Sequence, residues 1–122
     1  MRLGIDFGTT RIVVAAVDRG NFPVVTFECP DGASRDYLPP LIALQNESRL
    51  YGWDAFAAQS QPGATLLRSI KRALSDSGPA TTIDLDGHRF PVTQLLHELL
   101  AHLNQAIRHR SSLVVAADEP LE

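Results

Sequence analysis

The chain has one cysteine, one lysine and one tryptophan in 122 residues, and the scarcities are informative. Cys29 alone cannot close an intramolecular disulfide, so the sequence reads as a protein of a reducing cytosol rather than a secreted scaffold. No run approaches the roughly 18 apolar residues that a membrane span requires, and no basic N-terminal region leads into an apolar stretch. A cytoplasmic protein that contacts no membrane is expected. Basic runs are also missing: eleven basic and fourteen acidic residues lie scattered, for a formal charge of -3. Nothing there favours nucleic acid. There is no internal repeat and no low-complexity tract. Ten of the eleven basic residues are arginine, which leaves Lys71 by itself.

What remains is the composition of a globular domain, 44% hydrophobic and 20% charged, long enough for one core. Leu3, Ile5 and Phe7 alternate with Arg2, Gly4 and Asp6, the period of a strand. Residues 11–17 and 24–28 are rich in β-branched side chains. Their connections are too short for a parallel return, so the first 28 residues read as an antiparallel β-meander. Asp31-Gly32 marks a turn in the polar stretch from Pro30 to Pro40. Strands are expected at Leu41–Leu44 and Arg49–Tyr51 around a polar turn. Trp53–Gln59 and Thr65–Leu74 read as short helices, the second closed by Ser77-Gly78-Pro79. Thr82–Phe90 reads as a hairpin turning on Asp86-Gly87. The strongest helix is Thr93–Arg110, with Thr93 as N-cap, an apolar stripe from Leu95 to Ile107, and basic residues in its last turn. Leu113–Ala117 begins like a buried strand.

Chemistry concentrates in Gly4-Ile5-Asp6-Phe7-Gly8-Thr9-Thr10. Glycine lets a phosphate approach the backbone, and amides in a tight turn can cradle its oxygens, with the Thr9 and Thr10 hydroxyls to assist. Asp6 brings a carboxylate suited to a hydrated magnesium ion. The segment is neither a Walker loop nor a dinucleotide fingerprint, because both open a helix and Arg11–Val17 reads as a strand. A Gly-Thr-Thr turn also occurs in hairpins that hold no ligand, and the residues alone leave both readings open.

The opening segment resembles the first phosphate-binding segment of the actin-like ATPase superfamily. It is especially similar to the DnaK-type heat-shock chaperones, which open with Gly-Ile-Asp-Leu-Gly-Thr-Thr. Residues Tyr37 to Leu44 resemble that family's Thr-Pro-Ser-aliphatic strand. Tyr51-Gly52, Ala55 to Ala58 and the Ile70-Lys71-Arg72 segment resemble its following helix and its Ile-Lys-Arg run, in the same order. The resemblance implies an α/β, ribonuclease-H-like lobe. Residues 1–36 and 111–122 would join a mixed base sheet that opens with the meander, and 37–110 would form a small α+β upper subdomain.

It also implies ATP or ADP with magnesium as ligands, and hydrolysis that switches conformation. Asp6 would sit by the magnesium and its waters. Gly8, Thr9 and Thr10 would hold the phosphates, and Lys71 would reach toward the γ-phosphate and the attacking water. Without the resemblance Lys71 would read as a solvated helix-end residue. Arg11 stands where the family usually has asparagine, and a long cation there would add a phosphate contact or alter nucleotide choice. The family's remaining nucleotide-binding elements lie beyond residue 122, so these residues alone are expected to be inactive. Client polypeptides and co-chaperones would be partners of a full-length protein. A sugar kinase of the same superfamily and a non-enzymatic docking module are the alternatives.

Two further signals are set aside. His97 and His102 are five residues apart, about 140° around a helix, so they cannot share a zinc ion as a four-residue spacing would. Tyr51, Trp53 and Phe56 read as core rather than as a stacking platform for bases, and the stripe on 93–110 reads as a core face. That stripe would favour self-association if left uncovered.

Overall fold

The computed structural model describes residues 1–75, 78 and 80–122. Strands β1 (Leu3–Phe7) and β2 (Ile12–Ala16) pair antiparallel, with Leu3 opposite Ala16 and Phe7 opposite Ile12. Ile12, Val14 and Ala16 point inward and are buried, as a period of two demands. The expected third meander strand is shorter and pairs elsewhere. Only Phe27–Glu28 forms a strand, β3, and its partner is β4 (Ser34–Arg35) across the Asp31-Gly32 turn. Between β2 and β3 the chain keeps a bridge from Ala15 to Val24 and a bond from the Val25 amide to the Val14 carbonyl. Pro23 accepts from the Ala16 amide but has no N–H to return, so a regular ladder cannot start there.

The second sheet runs in the order β6-β5-β7, from Ser48–Tyr51, Ile42–Gln45 and Thr65–Leu67. Central strand β5 buries both faces: Ile42 joins the main core, while Ala43 packs with Ala55 and Ala58 of helix α1 (Gly52–Ala58). This explains its unbroken apolar run. Asn46 and Glu47 turn β5 into β6 with φ of 50° and 66°. The expected helix over Thr65–Leu74 is corrected. Thr65, Leu66 and Leu67 pair with Leu44, Ala43 and Ile42, and helix α2 covers only Ile70–Ser75. The second edge of a buried strand needs partners for its backbone polar groups, and that demand outweighs local helix preference. Of the expected Ser77-Gly78-Pro79 breaker, Ser77 and Pro79 lie outside the described residues.

Strands β8 (Thr82–Leu85) and β9 (His88–Pro91) form the expected hairpin, with Asp86 and Gly87 at φ of 53° and 79°. Helix α3 (Val92–His109) carries the core on Leu95, Leu99, Leu103 and Ile107, none more than 2% exposed. Thr93 is not its N-cap. The cap is Pro91, without a side-chain bond, and the buried Val92 amide instead donates to the Thr81 carbonyl.

Leu113–Ala117 is not a buried strand, and Val114 is 94% exposed. An apolar run becomes a strand only when a neighbour supplies a ladder, and none does so here among the described residues. The chain bridges instead from Ser111 to Phe27, and Glu122 bonds Met1 and Leu3. Every strand pair among the described residues is antiparallel. No helix among them is long and apolar enough to cross a membrane.

Candidate functional site

The turn between β1 and β2 is tight. The Gly8 amide donates to the Arg11 carbonyl at 2.8 Å, and a Cβ built on Gly8 would lie 2.8 Å from that same oxygen. Only glycine fits, because the obstruction is backbone and cannot swing aside. The amides of Thr9, Thr10 and Arg11 donate to no backbone acceptor, and the two threonine hydroxyls make no hydrogen bond among the described residues. Thr9 is half-buried and Thr10 exposed. The corner therefore carries uncommitted donors, which is the chemistry of an anion cradle. Asp6, at the same end of β1, is exposed and has no ion-pair or hydrogen-bond partner there. Its free carboxylate is a hard oxygen ligand of the kind magnesium takes, and it can accept hydrogen bonds from that ion's waters.

Lys71 comes from the first turn of α2, 64 residues away in sequence, and its Nζ donates to the Phe7 carbonyl at 2.9 Å. Tertiary structure thus brings Lys71 to the strand end that carries Asp6 and Gly8. Arg11 lies on the other side of the turn with its guanidinium carbon 4.3 Å from the Tyr37 ring centroid. The Ile12 and Leu38 backbones exchange hydrogen bonds at 2.8 and 2.9 Å, which fixes the neighbouring pair in register. Tyr37 in turn packs on Trp53 with centroids 5.0 Å apart, and its carbonyl accepts from the Trp53 indole at 2.9 Å. Arg35 covers the Trp53 ring at 4.8 Å. This ladder from Arg11 to Arg35 was not legible beforehand. The residue types were visible, but nothing in their spacing placed Tyr37 beside Arg11.

Trp53 and Tyr51 are core residues as expected, whereas Phe56 is 47% exposed at the edge of the Trp53 ring. A second network escaped the sequence. Glu98 of α3 accepts from the Arg49 guanidinium at 2.6 Å and from the Tyr51 hydroxyl at 2.9 Å. Burial alone would push Glu98 up, but these two donors hold it below the usual glutamate value. Burial, with Glu98 beside it, pushes the Tyr51 hydroxyl up to about 12. His102 packs near Tyr51 and is lowered by burial, while His97 is exposed. Cavities of about 280 and 360 Å³ open along α3, the first lined by Asp54, His102 and Arg110, the second by Ile5, Leu100 and Leu121. None of the corner residues lines either one.

A strand, a glycine corner bearing free donors, a second strand and a returning lysine are the features that resemble the DnaK-type chaperones. The resemblance to the DnaK-type chaperones itself is borne out by comparison with known proteins. A 74-residue stretch, 59% of this chain, is 42% identical to the chaperone protein HscA homolog of Variovorax paradoxus (strain S110). Over the same length, identity to the chaperone protein HscA of Serratia proteamaculans (strain 568) is 35%, covering 61% of this chain. The chaperone protein DnaK of Mesomycoplasma hyopneumoniae is 30% identical over 103 residues, or 84% of this chain. The chain spans 11% of the length of each of the first two and 16% of the third. No family profile matches it. The chain is a relative of the DnaK-type heat-shock chaperones, similar over 59–61% of its length to these HscA proteins and over 84% to this DnaK.

Proposed function

We propose that these residues supply the first phosphate-binding corner of an ATP-hydrolysing chaperone with an actin-like lobe. In this reading residues 1–36 and 111–122 belong to the base and 37–110 to the upper subdomain. The observation that supports it best is the convergence at one turn of the unbonded Thr9, Thr10 and Arg11 amides, the free Asp6 carboxylate and the Lys71 ammonium.

Each residue then has a physical task. The Gly8 turn aims its amides at phosphate oxygens, and the threonine hydroxyls add neutral donors. Lys71, already hydrogen-bonded beside the corner, offsets charge that develops on a transferred phosphoryl group. Asp6 holds a hydrated magnesium ion, which when bound neutralises phosphate charge. The HscA and DnaK relatives favour a chaperone over a sugar kinase. Coupling of hydrolysis to conformational change, with client polypeptides and co-chaperones as partners, is the corresponding role of the whole protein.

The test is nucleotide binding and turnover by the complete protein encoded by the gene, with and without Lys71→Ala. Loss of one preorganised charge of this kind should lower turnover by about 10²–10³ while ATP still binds. Absence of ATP binding in the unsubstituted protein would refute the reading, as would turnover indifferent to Lys71.

A further inference from the structure

We propose that Arg11, held on the face of Tyr37, makes this corner prefer a nucleoside triphosphate to a diphosphate, an inference that rests on the nucleotide reading above. Lys71 is bonded to Phe7 just before the Gly8–Thr10 turn, and Arg11 lies just after it. The turn is thus bracketed by two cations, against the single carboxylate of Asp6. The Arg11 side chain has no hydrogen-bond or ion-pair partner among the described residues. Its guanidinium carbon sits over the Tyr37 ring, 4.3 Å from the centroid. None of its five N–H groups is committed to a partner among the described residues, so all can turn to phosphate oxygens.

Position matters as much as charge. An arginine on a free tether would lose rotamer entropy on gripping a ligand, and here much of that loss is taken in advance. Tyr37 is itself clamped, by the indole bond to its carbonyl, by ring packing on Trp53 and by the Ile12–Leu38 bonds next to it. Tyr37 is therefore a positioning residue for Arg11. A fixed, unneutralised cation gains more from a ligand with an additional ionised phosphoryl group, which gives the expected order of triphosphate over diphosphate.

The experiment is calorimetric titration of the complete protein with ATP and with ADP, each with magnesium, for the unsubstituted protein and for Arg11→Asn, Tyr37→Leu and Tyr37→Phe. A charge-assisted contact at an exposed site sets the scale, so Arg11→Asn should weaken ATP about tenfold and ADP less than about threefold. Tyr37→Leu should shift the ratio in the same direction, and Tyr37→Phe, which keeps the ring face, should preserve it. Thermal transitions confirm that the variants are folded, and if Tyr37→Leu does not fold, the exposed Arg11→Asn decides. An unchanged ATP-to-ADP ratio in folded Arg11→Asn would overturn this proposal while leaving nucleotide binding intact. A protein that binds neither nucleotide would overturn the underlying reading as well.

Discussion

Arg49 and Glu98 meet in a two-pronged ion pair, Nε to Oε1 at 2.6 Å and Nη2 to Oε2 at 3.0 Å, between strand β6 and helix α3. Both side chains are about a quarter exposed, at 28% and 23%, so the pair is shielded more than an ordinary surface bridge. The Arg49 guanidinium also covers the Phe90 ring at 4.9 Å, which brings the β9 hairpin into the same junction. Glu98→Ala would strand a cation and the Tyr51 hydroxyl together. The expected loss is about 1–2 kcal/mol, seen as a lower midpoint in urea with little change in slope.

The same junction predicts a pH dependence on both sides. Glu98 is depressed below its ordinary 4.5 in the fold. Its contribution is complete above that ordinary value and is lost as pH falls through the folded one. Tyr51 moves the opposite way, from 10.0 to about 12, so its contribution is full below 10 and lost as pH rises through about 12. Melting temperature measured across pH should decline more gently in acid for Glu98→Gln and more gently in alkali for Tyr51→Phe. Identical slopes in variant and parent would remove both assignments.

Gly8→Ala tests the corner directly. The new methyl would meet the Arg11 carbonyl oxygen at 2.8 Å, so the turn must open. Stability should fall by about 1–3 kcal/mol, the usual cost of local backbone strain. On the nucleotide reading, ATP affinity of the complete protein should fall as well. A variant as stable as the parent in urea would show that the turn is looser than described.

Gly52→Ala tests a different constraint. Gly52 opens α1 at φ +60°, and a Cβ there would lie 3.0 Å from His102 Nε2 and 3.1 Å from Leu38. Left-handed strain and crowding act together, and a loss of about 1–3 kcal/mol is expected by thermal melting.

The α3 stripe separates by position. Leu99 is fully buried and Leu100 is 44% exposed. Leu99→Ala should cost about 2–5 kcal/mol, and Leu100→Ala less than about 1 kcal/mol because most of its transfer energy was never gained. Urea midpoints of the two variants provide the measurement.

Much of this could be read directly from the chain. Period-two alternation located β1, β-branched side chains located β2, the Asp86-Gly87 pair located a hairpin, and the Leu95–Ile107 stripe located α3 and its buried face. These are signals carried by neighbouring residues, and local sterics or one-sided burial suffice to produce them. The Gly-Thr-Thr corner was visible for the same reason.

What the chain alone left undecided depended on partners distant in sequence. Thr65–Leu67 became a strand because buried β5 had an open edge, and Leu113–Ala117 did not because no neighbour among the described residues offered one. Lys71 meets Phe7, Arg11 meets Tyr37 and Arg49 meets Glu98 across 64, 26 and 49 residues. Such contacts carry no periodic trace. They follow from the simultaneous burial of several apolar faces around one core, and only the folded chain brings those faces together.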